Sequence, residues 1–90
     1  MGNQEIIEVL YLGKPINDEP NVYKRKALIE LKQIYEFLLH PFMDEIKACR
    51  GYIIIHLYDD FKKEKIDCNV PCLILRKKIK ITLSKYFNRY

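Results

Sequence analysis

Ten residues, Gly51–Asp60 (GYIIIHLYDD), constrain the fold most: Tyr52, Ile53, Ile54, Ile55, Leu57 and Tyr58 surround a single His56. Three consecutive β-branched residues restrict χ1 and favour a pleated backbone over a helix. The run is far shorter than the roughly 20 apolar residues needed to span a bilayer. Side chains alternate across a strand, so apolar residues at odd and even positions mean that both faces seek cover. The segment is therefore predicted to be a strand buried on both sides, or one whose second face a partner subunit buries. His56, inside an apolar strand, is expected to be a hydrogen-bonded core residue.

What can cover that strand follows from its neighbours. In Val22–Leu39, Tyr23, Ala27, Leu28, Leu31, Ile34, Tyr35 and Leu38 recur at steps of three and four, the stripe of an amphipathic helix. Lys14–Asn21 (KPINDEPN) is a loop by its two prolines and its Asn-Asp pair, and Asp18 or Asn21 can cap the helix. His40–Pro41 interrupts it, because proline lacks an N–H and disfavours a helical conformation in the residue before it. A short second helix follows over 42–49, with Phe42, Ile46 and Cys49 on one side and Gly51 placed to stop it.

Residues 3–13 (NQEIIEVLYLG) fit two readings. As a strand they offer Ile7, Val9 and Tyr11 to one face and Ile6, Leu10 and Leu12 to the other. As a helix they run from an Asn3 cap to Gly13, with Ile6, Ile7, Leu10 and Tyr11 in a stripe. The residue types and the short run favour the strand. Asp59–Pro71 (DDFKKEKIDCNVP) reads as a hairpin connection or a loop with one helical turn. Cys72–Thr82 (CLILRKKIKIT) reads as a further strand, bent or in two pieces, with Leu73, Leu75, Ile79 and Ile81 in phase; Leu83–Tyr90 is a terminal helical turn or a frayed end. The expected architecture is one small α+β domain over residues 1–90. It is a two-layer sandwich with a small, mainly antiparallel sheet of two or three strands, in which 51–59 pairs with 72–81. One long amphipathic helix and a short second helix cover the sheet. Helix 42–49, the C-terminal turn or a second subunit is left to cover the other face, and a homodimer covers it with no added chain length.

Charge divides the 90-residue chain unevenly. Residues 1–45 hold five Lys/Arg and eight Asp/Glu, a net of −3, and residues 46–90 hold eleven and four, a net of +7. The last fifteen residues carry six cations and no carboxylate: Arg76, Lys77, Lys78, Lys80, Lys85 and Arg89, interleaved with Tyr86, Phe87 and Tyr90. Cations that neutralise phosphates release counterions, and aromatic faces stack on unpaired bases. Arg76, Lys77, Lys78, Lys80, Lys85, Arg89 and Tyr86 are therefore the candidate nucleic-acid contacts. The competing reading is an edge strand that its lysines keep from aggregating. No RNP signature or GXXG loop accompanies them. A second function class is a protein-interaction module, or a small accessory or inhibitory subunit, acting through an exposed sheet face.

Enzymatic patterns are weak. Cys49, Cys68 and Cys72 with His40 or His56 match a Cys₃His zinc set only through the unusual Cys68-x₃-Cys72 spacing, and free cysteine is commonly a small buried hydrophobe. Asp59, Asp60, Glu64 and Asp67 crowd one stretch without the regular spacing of a calcium loop. No strained nucleophile elbow or phosphate loop is present. The expectation is a non-enzyme with no cofactor or metal. Three cysteines and an N-terminus without a basic-then-apolar leader suit a reducing, cytoplasmic setting with no membrane partner.

Asn69–Leu75 (NVPCLIL) resembles the Val-Pro-strand segment of thioredoxin-like proteins. That resemblance implies a cis-proline at Pro71 followed by short strands; the CxxC motif of the family is missing, so redox activity is not implied.

Overall fold

The computed structural model describes residues 5–87. Strand β1 (Ile7–Tyr11) turns at Leu12–Gly13, both with positive φ, into β2 (Lys14–Pro15). A 3₁₀ turn buries Ile16 before helix α1 (Val22–Leu39). A second 3₁₀ turn over His40–Phe42 leads to α2 (Met43–Ala48), then come β3 (Tyr52–Tyr58), β4 (Lys63–Asn69) and α3 (Leu73–Phe87). The sheet order is β2-β1-β3-β4. β3 runs parallel to β1 and antiparallel to β4, and β1–β2 is antiparallel. A parallel neighbour needs a long crossover, and α1 with α2 supplies it.

The four-stranded α+β sheet exceeds the two or three strands expected, and three assignments change. Lys14–Pro15, read as the start of a loop, folds back on Leu10–Tyr11 as β2. The segment read as a polar connection contains β4, which takes the place expected for 72–81 as the antiparallel partner of β3. The segment read as a strand is α3. Leu75, Ile79 and Leu83 lie four residues apart and are all buried, whereas Ile81, in phase with Ile79 as a strand, is 55% exposed. The backbone over Val70–Pro71 is trans, as no described peptide bond is cis, and Pro71 leads into a helix rather than a strand.

The other elements form for the reasons their sequences suggest. The Asn21 side chain accepts from the Lys24 backbone N–H at 3.0 Å and caps α1. The α1 stripe buries Leu28, Tyr35 and Leu39 and half-buries Leu31 and Leu38, but Tyr23 is 84% exposed. At the first turn of α1, a position on the apolar stripe can still project past the end of the sheet. After α2, Arg50 takes the left-handed conformation at φ 57°, and the Gly51 N–H reaches back to the Ile46 carbonyl at 2.8 Å. Gly51 answers a different need: a Cβ there would lie 2.9 Å from the Asn69 carbonyl oxygen, where β3 starts beside the end of β4.

The core lies on one side of the sheet. Ile7, Val9 and Tyr11 of β1 and Ile53, Ile55 and Leu57 of β3 are buried beneath Leu28, Tyr35 and Leu39 of α1, Ile46 of α2, and Leu75, Ile79 and Leu83 of α3. All three helices therefore cover the same face, and the molecule is 19 Å thin in one direction. The opposite face presents Glu8, Leu10, Tyr52, Ile54, His56 and Tyr58 at half-buried or exposed positions, and neither α2 nor α3 covers it. His56 is on this face rather than in the core, with Nε2 at 2.9 Å from Asp67 Oδ2.

Candidate nucleic-acid interface

Helix α3 begins after Cys72, whose carbonyl accepts from the Arg76 N–H at 2.9 Å. With Leu75, Ile79 and Leu83 facing the sheet, the 3.6-residue period turns Lys77, Lys78, Ile81 and Lys85 outward. Lys77, Lys78, Lys80 and Lys85 are all exposed, and none makes an ion pair among the described residues. The ion pairs among the described residues lie elsewhere: Lys24–Asp60, Lys32–Glu5, Lys63–Asp59 and Lys65–Asp67. Leu73 and Ile74 ahead of the lysines and Ile81 among them are 65%, 69% and 55% exposed.

Not every expected residue joins this surface. Arg76 is half-buried and turned inward, where Nε and Nη2 donate to the Val70 carbonyl at 3.2 and 3.0 Å, so its guanidinium pins the loop ahead of the helix. Arg89 lies outside the described residues. Lys80 stands at the margin facing β4, beside Cys68 and Ser84. As a strand, the segment would set Arg76, Lys78 and Lys80 on one side; the helix instead groups Lys77, Lys78 and Lys85.

Tyr86 is 56% exposed and held from behind. Its ring meets Phe87 edge-on at 5.0 Å, and Phe87 packs on buried Tyr35 at 5.0 Å. Tyr35 in turn donates its hydroxyl to Glu64. Beside Tyr86, a shallow groove between α1 and α3 is lined by Glu30, Gln33, Ile34 and Phe37. Phe37 is 79% exposed. Sequence reasoning missed it, although it sits off the apolar stripe of α1, which is the signal that would have singled it out.

The other constellations separate. Cys72 is exposed, the Cys49 thiol donates to the Ile46 carbonyl at 3.3 Å, and all three cysteines are free. Burial pushes the Cys68 thiol above its ordinary pKa, against the lowering influence of Arg76 and Lys80, which disfavours the nucleophilic thiolate. Asp59 and Asp60 sit in the β3–β4 turn against Lys63 and Lys24, while Glu64 and Asp67 occupy opposite faces of β4. Among the described residues no three His, Cys, Asp or Glu side chains are grouped to hold a metal ion, and no helix is long and apolar enough to cross a membrane. No family model, no curated protein and no solved structure matches this chain.

Proposed function

We propose that the protein is a non-enzymatic nucleic-acid-binding protein that engages a single strand along the outer face of α3. The observation that carries the reading is a 15-residue helix, Leu73–Phe87, with no acidic residue and four exposed lysines that no described carboxylate neutralises. Lys77, Lys78 and Lys85 supply the phosphate contacts, Lys80 a further one at the margin, and Tyr86 and Phe37 supply ring faces for unpaired bases. Exposed aromatics beside cations favour a single strand over a duplex, whose bases are already stacked.

The test is fluorescence anisotropy with mixed-sequence single-stranded and duplex oligonucleotides. Lys77, Lys78 and Lys80 changed together to Glu are expected to abolish binding with the circular dichroism spectrum unchanged. Binding that survives those three reversals at moderate salt removes the reading.

A second reading, a protein-interaction module, is supported by the sheet face that no described helix covers, with half-buried Leu10, Tyr52 and Ile54. Salt separates the two, because an apolar interface weakens little as ionic strength rises whereas phosphate binding weakens log-linearly.

A further inference from the structure

The two borders of the sheet are built differently. β2, at one border, is two residues long, a common way of leaving no usable edge. β4, at the other, is seven residues long and pairs with β3 without a bulge, from Tyr52–Asn69 to Tyr58–Lys63. It contains no proline, and its outer row of backbone groups has no strand partner among the described residues. Beside it, a groove of about 380 Å³ runs between Glu64, Ile66 and Cys68 of the strand and Ile79, Lys80, Leu83 and Ser84 of α3. With no bulge and no proline, this border leaves room for another strand, provided that the incoming strand answers the charges of Lys63 and Lys65.

The side chains of β4 specify which strand. Glu64, Ile66 and Cys68 point to the helical side, and Lys63, Lys65, Asp67 and Asn69 to the open side, as their partners on β3 dictate. A second β4 added antiparallel by a twofold axis must keep like faces together, so the axis has to pass through a residue position. Centred on Lys65, it sets Lys63 opposite the partner's Asp67 twice but Lys65 against its own copy, and leaves Cys68 and Asn69 without a partner in the strand; centred on Asp67, it sets two carboxylates together and leaves Lys63 and Glu64 unopposed. Centred on Ile66, it pairs all seven residues of the strand, sets Ile66 against the partner's Ile66 beside that groove, and places Lys65 opposite the partner's Asp67 twice. Asp67 has capacity for that contact: Oδ2 is 2.9 Å from His56, but Oδ1 is 4.0 Å from the nearest lysine, Lys65 of its own chain.

We propose that the chain forms a twofold dimer through β4, in the register centred on Ile66, giving one continuous eight-stranded sheet from two four-stranded ones. Self-complementarity of charge selects a second copy of this chain over an unrelated strand. The sheet face remains open in this dimer, and all helices lie on one side of it.

The experiment is sedimentation velocity of the full chain without nucleic acid, so its outcome does not depend on the reading of α3. The wild type is expected to sediment at twice its 10.9 kDa mass at high micromolar concentration and to dissociate on dilution. Lys65→Glu alone and Asp67→Lys alone each set like charges opposite one another twice and are expected to weaken the dimer by about tenfold or more. The double variant exchanges the two charges and is expected to restore it. Lys65→Gln and Asp67→Asn, which add no repulsion, are expected to fall between, and serve if a reversal disturbs the fold. A wild type that stays monomeric, single reversals and neutral variants that leave the dimer unchanged, or a double variant that fails to recover each overturn the proposal.

Discussion

The proposed phosphate contacts of the α3 lysines are expected to give a measurable salt slope. At 100° per residue, Lys77, Lys78 and Lys85 share an arc of about 100° and lie along about 12 Å of helix axis, so one strand can meet all three; Lys80 stands about 60° further round. For a single strand, log K falls with log salt at about −0.7 per phosphate neutralised, so three contacts give a slope near −2.1 and four near −2.8. Between about 50 and about 200 mM salt the affinity is then expected to fall by about 20- to 50-fold. The assay is anisotropy titration of a labelled oligonucleotide at several salt concentrations. Lys85→Ala is expected to lower the magnitude of the slope by about 0.7. Tyr86→Ala removes a stacking face and no charge, so it is expected to weaken binding by about 1–3 kcal/mol with the slope unchanged. Swapped signatures, or a slope near zero, refute the assignment of phosphate contacts to the lysines and of stacking to Tyr86.

Three further predictions concern the scaffold. Ile79 is wholly buried and Ile81 mostly exposed, so Ile79→Ala is expected to cost about 2–5 kcal/mol in urea denaturation and Ile81→Ala about 0.5 kcal/mol or less; equal costs contradict the helix. Adjacent positions after α2 are expected to respond with opposite signs: Gly51→Ala lowers stability by about 1–2 kcal/mol because its Cβ meets the Asn69 carbonyl, while Arg50→Gly raises it by up to about 1 kcal/mol by relieving a positive φ, both read as melting-temperature shifts. The hydrogen bond and charge of Lys24, aided by the Tyr11 hydroxyl, hold the Asp60 carboxyl below its ordinary pKa, and the same contact raises Lys24. The contribution of Asp60 is present above the ordinary carboxylate pKa of about 3.9 and is lost as pH falls through the lower folded value. That of Lys24 is lost only as pH rises through its raised value. Asp60→Asn is therefore expected to be less stable than wild type at neutral pH and equal to it in strong acid; a gap that persists in acid points to a cause other than charge.

Legibility in the sequence followed burial. Ile53, Ile54 and Ile55 declare a strand by their β-branched side chains, and the Leu28–Tyr35–Leu39 side of α1 declares a helix by its period. The α3 segment satisfies both periods: Leu73, Leu75, Ile79 and Ile81 alternate, while Leu75, Ile79 and Leu83 recur every fourth residue. Extending the count to Leu83, and weighing the helix propensity of the lysines, decides for the helix. β4 went unread for the opposite reason. One of its faces is open to solvent and its outer side is a border, so only Ile66 and Cys68 are apolar, and Lys63, Lys65, Asp67 and Asn69 give the alternation without a hydrophobic run. The charge of α3 was plain in the sequence, and the place of Phe37 off the apolar stripe of α1 was legible there too, but the inward turn of Arg76 depends on how helix and loop are set in three dimensions.

That charge is not explained by the stability of the helix that bears it. The first turn of α3 contains no acidic residue to complement the positive end of the helix dipole. Arg76 and Lys80 stand at i and i+4, and Lys77 and Lys80 at i and i+3, spacings at which like charges destabilise a helix by about 0.2–0.5 kcal/mol per pair. Elsewhere the chain sets carboxylates against its cations, as at Lys24–Asp60 and Lys32–Glu5, where segments far apart in sequence meet. On α3 it sets none among the described residues, and the burial of Leu75, Ile79 and Leu83 holds the helix against that repulsion. General solubility would be met by lysines interspersed with glutamates. A single-signed helical face beside two exposed aromatic rings suits an external ligand that carries the missing negative charge and flat surfaces to stack.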